Sequence, residues 1–81
     1  MNTKEATIQM LTKIRVHIIN NENPRVKDKD IAKMLKLTPA SFSRLITGVS
    51  EPKLQSWINI TKLHAQYYGD EETNMIINNV S

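Results

Sequence analysis

The stretch Leu37-Thr38-Pro39-Ala40-Ser41-Phe42-Ser43-Arg44-Leu45-Ile46-Thr47-Gly48 constrains the fold more than any other part of this chain. Both ends of a short helix are written into it. Thr38 suits the N-cap, because its hydroxyl accepts from a first-turn N–H. Pro39 suits the first helical position, where its missing N–H would have had no partner. Gly48 is the stop, since glycine takes a left-handed conformation without a Cβ penalty. Between these marks Phe42, Leu45 and Ile46 share one face, and Ala40, Ser41, Ser43, Arg44 and Thr47 occupy the other. A helix of about nine residues is not stable alone in water, so the rest of the chain must pack around its apolar face.

The flanking segments carry the periodicity for that packing. Thr3 to about Asn20 reads as a first helix with Thr3 as N-cap, and Ile8, Leu11, Ile14, Ile18 and Ile19 fall within an arc of about 140° at 100° per residue. The run Asn20-Asn21-Glu22-Asn23-Pro24 ends it. A second helix spans Asp28 to Lys36. Val26 and Ile31 sit at hydrophobic-staple spacing, and Ile31, Ala32, Met34 and Leu35 form its apolar face. Lys29, Lys33 and Lys36 lie on the opposite side, a stripe of which only one edge can meet a polyanion. Pro52 opens a fourth helix to Tyr68 with two stripes, Leu54/Trp57/Ile58/Thr61 and Ile60/Leu63/Tyr67. Gly69 stops it, and Asp70-Glu71-Glu72 begins a short fifth helix with Met75, Ile76 and Ile77 as its apolar residues. The expected fold is all-α, a compact bundle of about five short helices.

With 81 residues the chain is read as one domain, 1–81, with its core at about 4–68 and a C-terminal segment, 69–81, suited to dimerisation. The absence of cysteine removes disulfide scaffolds and Cys-ligated metal sites. Apolar runs are too short for a membrane span and no secretory signal pattern opens the chain, so a cytoplasmic location is expected. No phosphate-binding glycine loop, HExxH pattern or nucleophile elbow is present, and the expectation is a non-enzyme without metal or other cofactor. Asp28 and Asp30 fit helix capping, His17 and His64 lack a ligand-spaced partner, and Phe42 and Trp57 lie on apolar stripes as core residues.

The net charge of +3 is unevenly spread. Residues 25–66 hold eight basic and three acidic side chains, whereas 67–81 hold three acidic ones and no Lys or Arg. Positive charge therefore gathers on the middle of the chain, as a polyanion-binding surface requires.

Asp28 through Gly48 resembles the helix-turn-helix of the lambdoid phage repressor and Cro-type family. Ala32 stands where that family keeps a small residue for close helix crossing. Leu37 and Phe42 match apolar positions after the turn and inside the recognition helix. Gly48 closes that helix, and Pro52 with Leu54 matches the start of the next. The likeness covers roughly residues 4–68 and departs at Lys36, where many members have glycine in the turn. It implies a lambda repressor-like fold and a recognition helix in the major groove, with Ala40, Ser41 and Arg44 as base readers. Arg44 would bind guanine in bidentate fashion and Ala40 would meet a thymine methyl. Lys29, Thr38, Ser43, Thr47 and Lys53 would contact the DNA backbone.

The function that follows is sequence-specific binding of double-stranded DNA as a homodimer on a palindromic operator, in a transcriptional repressor of phage or mobile-element origin. Dimerisation is also suggested by the second stripe of the fourth helix and by Met75-Ile76-Ile77. The alternative is an antitoxin or antirepressor whose main partner is another protein, a toxin or a repressor.

Overall fold

The first helix, α1 (Thr3–Asn21), begins at a cap one residue earlier than expected. Asn2, not Thr3, is extended and accepts from Glu5 N–H at 3.1 Å, asparagine being at least as good a cap as threonine. Thr3 enters the helix, and its carbonyl takes the Thr7 hydroxyl at 2.6 Å. That bond lets Thr7 be buried without an orphaned polar atom. The buried stripe is Ala6, Thr7, Met10, Leu11, Ile14 and Ile18. Ile8 is half-buried, and Ile19, expected inside, is exposed because it lies off that stripe's axis.

The structure is a computed structural model and describes residues 2–79, so Val80 and Ser81 of the expected 69–81 segment lie outside the described residues. Its five helices are α1, α2 (Asp28–Met34), α3 (Pro39–Ile46), α4 (Leu54–Tyr68) and α5 (Asp70–Asn79), with no strand among the described residues. α1 packs against α3, α4 and α5; α2 packs against α3, and α4 against α5. The radius of gyration is 11.6 Å, matching the value of about 12 Å for one compact body of this length.

α2 opens as the staple predicts. Lys27 is the N-cap, Val26 before it packs on the core with Ile31, and Asp30 accepts from Lys27 N–H at 3.1 Å. Asp28 pairs with Arg15 of α1 at 3.3 Å. The helix ends at Met34 rather than Lys36, and Met34 turns outward at 49% exposure. α3 buries Phe42 and Leu45 as expected, with Ile46 packed beside them.

α4 starts at Leu54 with Lys53 as N-cap, so Pro52 precedes the helix instead of opening it. Leu54 is 76% exposed, and the first expected stripe is therefore not the core-facing one. The inward residues are Ile60 and His64, flanked by Trp57, Leu63 and Tyr67. Asn59 donates to the Leu35 carbonyl at 3.3 Å, tying α4 to the end of α2.

Gly69 both ends α4 and caps α5. Its N–H donates to Ala65 O at 2.7 Å, and its carbonyl accepts from Thr73 N–H and from the Thr73 hydroxyl. With φ 93° and ψ 159° it occupies backbone space that is essentially glycine's alone. α5 then docks through Thr73 and Ile76, while Met75 faces out. Lys13 of α1 meets Glu72 at 2.7 Å and lies over the Tyr68 ring. The Tyr68 hydroxyl donates to Lys13 O at 2.7 Å.

His64 is fully buried between α4 and α5. Its Nδ1 lies 2.6 Å from Thr73 Oγ1, whose own proton goes to Gly69 O. Nδ1 therefore carries the hydrogen, and Nε2 is a buried bare nitrogen with no partner among the described residues. Burial first, and Lys13 second, hold its pKa below the usual histidine value of 6.5.

Two outcomes follow from this core. Phe42→Ala should cost about 3 kcal/mol or more, read as a fall in melting temperature of roughly 12 °C or more; an unshifted transition would show that Phe42 is not a core residue. For His64 the unfolded chain takes up the proton first. Its contribution is thus intact above pH 6.5, declines as pH falls below that, and levels off once the folded imidazole also protonates. Thermal unfolding between pH 7.5 and 5 should therefore drop more steeply for the wild type than for His64→Gln. Parallel pH profiles would remove His64 from that role.

Candidate nucleic-acid interface

α2 and α3 are joined by a tight turn whose geometry rests on one residue. Lys36 has φ 58°, the left-handed region. That conformation lets Leu37 N–H donate to Ala32 O at 2.8 Å and Lys36 N–H to Lys33 O at 3.1 Å, so two C-terminal carbonyls of α2 gain partners. Glycine is the usual residue for such a cap, and lysine there costs about 1 kcal/mol more.

The next residues set α3. Thr38 Oγ1 accepts from Ser41 N–H at 3.1 Å and donates to Ser41 Oγ at 3.0 Å. Pro39 removes the N–H that would follow. At the far end Gly48, with φ 78°, closes a second cap of the same kind: Val49 N–H donates to Arg44 O at 2.9 Å and Gly48 N–H to Leu45 O at 3.3 Å. A Cβ on Gly48 would stand 3.0 Å from Cδ1 of Ile8. Close approach to α1 therefore adds to the backbone reason for glycine.

The outward side of α3 carries Ala40, Ser43, Arg44 and Thr47, all exposed, with Ser41 half-buried. These positions form ridges along the helix rather than a concave pocket. Beside them lies a cleft lined by Lys36, Thr38, Ser41 and Arg44 on one side and by Ser50, Glu51, Lys53 and Ser56 from the α3–α4 connection and early α4 on the other. Thr38, Ser41, Arg44 and Lys53 thus converge from two parts of the chain. Ala40, Ser43 and Thr47 stand on the ridge outside the cleft, and Lys29 lies in the first turn of α2.

Hydrogen bonding distinguishes these side chains further. Ser41 receives the Thr38 proton and keeps its own to donate outward. Thr47 gives its proton to Ser43 O at 2.7 Å, leaving it an acceptor only, which suits a phosphate oxygen poorly. Among the described residues the ion pairs are Lys13–Glu72 and Arg15–Asp28, so Lys29, Lys36, Arg44 and Lys53 keep their charge uncompensated by a paired carboxylate. Exposed cations beside an outward polar helix can bind an extended polyanion through phosphates and present Arg44 to a planar acceptor pair. No group of acidic, histidine or cysteine side chains among the described residues could hold a metal, and no helix is long and apolar enough to cross a membrane.

Sequence reasoning missed Ser50, which the turn after α3 brings back to Arg44, and Ser56, which reaches the cleft because α4 starts beside the α2–α3 turn. Lys36 also lines it, and the sequence singled it out only through the resemblance, as a departure from the glycine many members of that family carry in the turn.

Lys36→Gly should raise stability by up to about 1 kcal/mol, less the entropy glycine adds to the unfolded chain. Chemical denaturation would measure this, and a loss greater than that entropy, more than about 1 kcal/mol, would mean that a side chain at residue 36 is not a burden on the turn.

Comparison with protein-family models, with curated proteins and with solved structures gives no match to this chain.

Proposed function

We propose that the chain is a sequence-specific double-stranded DNA-binding regulator, a transcriptional repressor in which α2, the turn and α3 form a helix-turn-helix. The observation that carries this reading is the short, doubly capped α3, polar on its outer side and bordered by unpaired cations from the turn and from the start of α4. An α-helix of about 10–12 Å diameter fits the major groove, which is about 12 Å wide. The eight residues of α3 extend about 12 Å, the rise of three to four base pairs. Within that reach Arg44 would take guanine O6 and N7, Ala40 a thymine methyl, and Ser41 a base-edge acceptor. Lys29, Lys53, Thr38 and Ser43 would hold the backbone, with Thr47 contributing only if its internal bond breaks.

Such a protein gains affinity and symmetry by binding as a dimer to half-sites about 34 Å apart. Of the residues expected to serve a second subunit, Ile60 and Ile76 are buried in the chain's own core and Leu63 and Tyr67 are partly buried against it, while Met75 stays exposed. The apolar side chains left exposed beside the interface are Val49 and Leu54, and these are the residues we assign to contact with a second copy.

The test is selection from a random duplex pool at near-physiological salt. A short palindrome should be enriched, and Arg44→Ala should weaken binding to it by about 1–3 kcal/mol while relaxing the preference at one base pair. Unchanged preference in that variant would overturn the role of Arg44. No enrichment, with only weak salt-sensitive binding, would overturn the repressor reading in favour of a protein-directed antitoxin or antirepressor.

A further inference from the structure

We propose that Lys36 is a DNA-backbone contact, retained in a turn where glycine would fold more easily because its charge serves the interface. This rests on the DNA-binding reading above. Three observations point to it. Lys36 sits at φ 58°, where a side chain is a burden on the backbone. No charge partner in the fold offsets that burden: the residue is exposed and has no ion pair among the described residues. It also borders the cleft that gathers Ser41, Arg44 and Lys53, in which three cations face one carboxylate, Glu51.

The chemistry of lysine decides the kind of contact. An ammonium on a flexible stem is a point charge with no fixed donor plane, so it suits a phosphate rather than a pattern of base-edge acceptors. Lys36 also borders a hollow with Met34 and Leu63, whose apolar surface its methylenes would cover. That packing role makes a different prediction, because it depends on the stem and not on the charge.

Lys36→Gln and Lys36→Gly separate the two. Glutamine removes the charge, keeps much of the stem and leaves a side chain at the left-handed position; glycine removes charge, stem and burden together. Affinity for the enriched duplex would be measured from about 50 to 200 mM salt, the range over which counterion release is conveniently read. Both variants should lower the slope of log affinity against log salt by about 0.9 per bound protomer. The wild type's advantage then shrinks about three- to fourfold per protomer across that fourfold rise in salt. Base preferences should stay the same, and Lys36→Gly should melt no lower than the wild type, which excludes misfolding as the cause. Wild-type affinity and slope in both variants would overturn the proposal, as would a changed base preference. If the wild type itself enriches no duplex, the DNA-binding reading fails and this contact fails with it.

Discussion

Everything on the candidate binding face depends on the burial of Phe42 and Leu45. α3 has eight residues and would not persist as a helix in water. It exists because its apolar side is sealed against α1 and α2, while Thr38 and Gly48 satisfy its ends. The same close fit explains why Ile8 lies where any side chain on residue 48 would meet it. A helix held from behind in this way can leave its outer ridge entirely to solvent or to a ligand. The polar residues there carry no structural duty beyond the Thr38–Ser41 cap and the inward bond of Thr47.

The other end of the molecule is held by different physics. α5 buries only Thr73 and Ile76, so its docking leans on polar groups: the Lys13–Glu72 pair, the chain from His64 through Thr73 to Gly69, and the Tyr68 bond to α1. Surface ion pairs contribute little, and the Lys13–Glu72 pair is partly exposed. The buried histidine is tied to α5 through Thr73, and its burial first, with Lys13 second, makes protonation unfavourable. There the rings of Tyr67, His17, Tyr68 and His64 meet in series, with centroids 4.2 to 5.5 Å apart, the His17–Tyr67 and His64–Tyr68 pairs stacked and the His17–Tyr68 pair edge-on, and they join α1 to α4. The acidic segment is thereby packed on the chain's own α1 and α4, at a site separate from the basic cleft.

The division between legible and illegible features follows the range of the forces involved. The five helices, the Thr38–Pro39 cap, the Gly48 stop and the Val26–Ile31 staple were readable in the sequence because each is settled by neighbours within a turn or two, whereas helical periodicity carried α2 on to Lys36 and only the family resemblance marked that residue as part of the turn. The inward placement of Phe42, Leu45 and Ile46 was readable for the same reason, since helical spacing alone puts them on one face. Boundaries slipped where two residues competed for one role, as Asn2 displaced Thr3 and Lys53 followed Pro52.

Tertiary structure alone decided which side of an ambiguous helix faces inward and which distant residues share a site. α4 has apolar residues on more than one side, and periodicity does not say that Ile60 and His64 are buried while Leu54 stays exposed. That choice depends on α1 and α5 arriving at that face. The convergence of Lys36, Ser41, Arg44 and Lys53 likewise exists only once the α3–α4 connection brings α4 back beside the turn. Local hydrogen bonding specified the helices; the shared burial of their apolar faces chose the arrangement, and the cleft is a consequence of that arrangement.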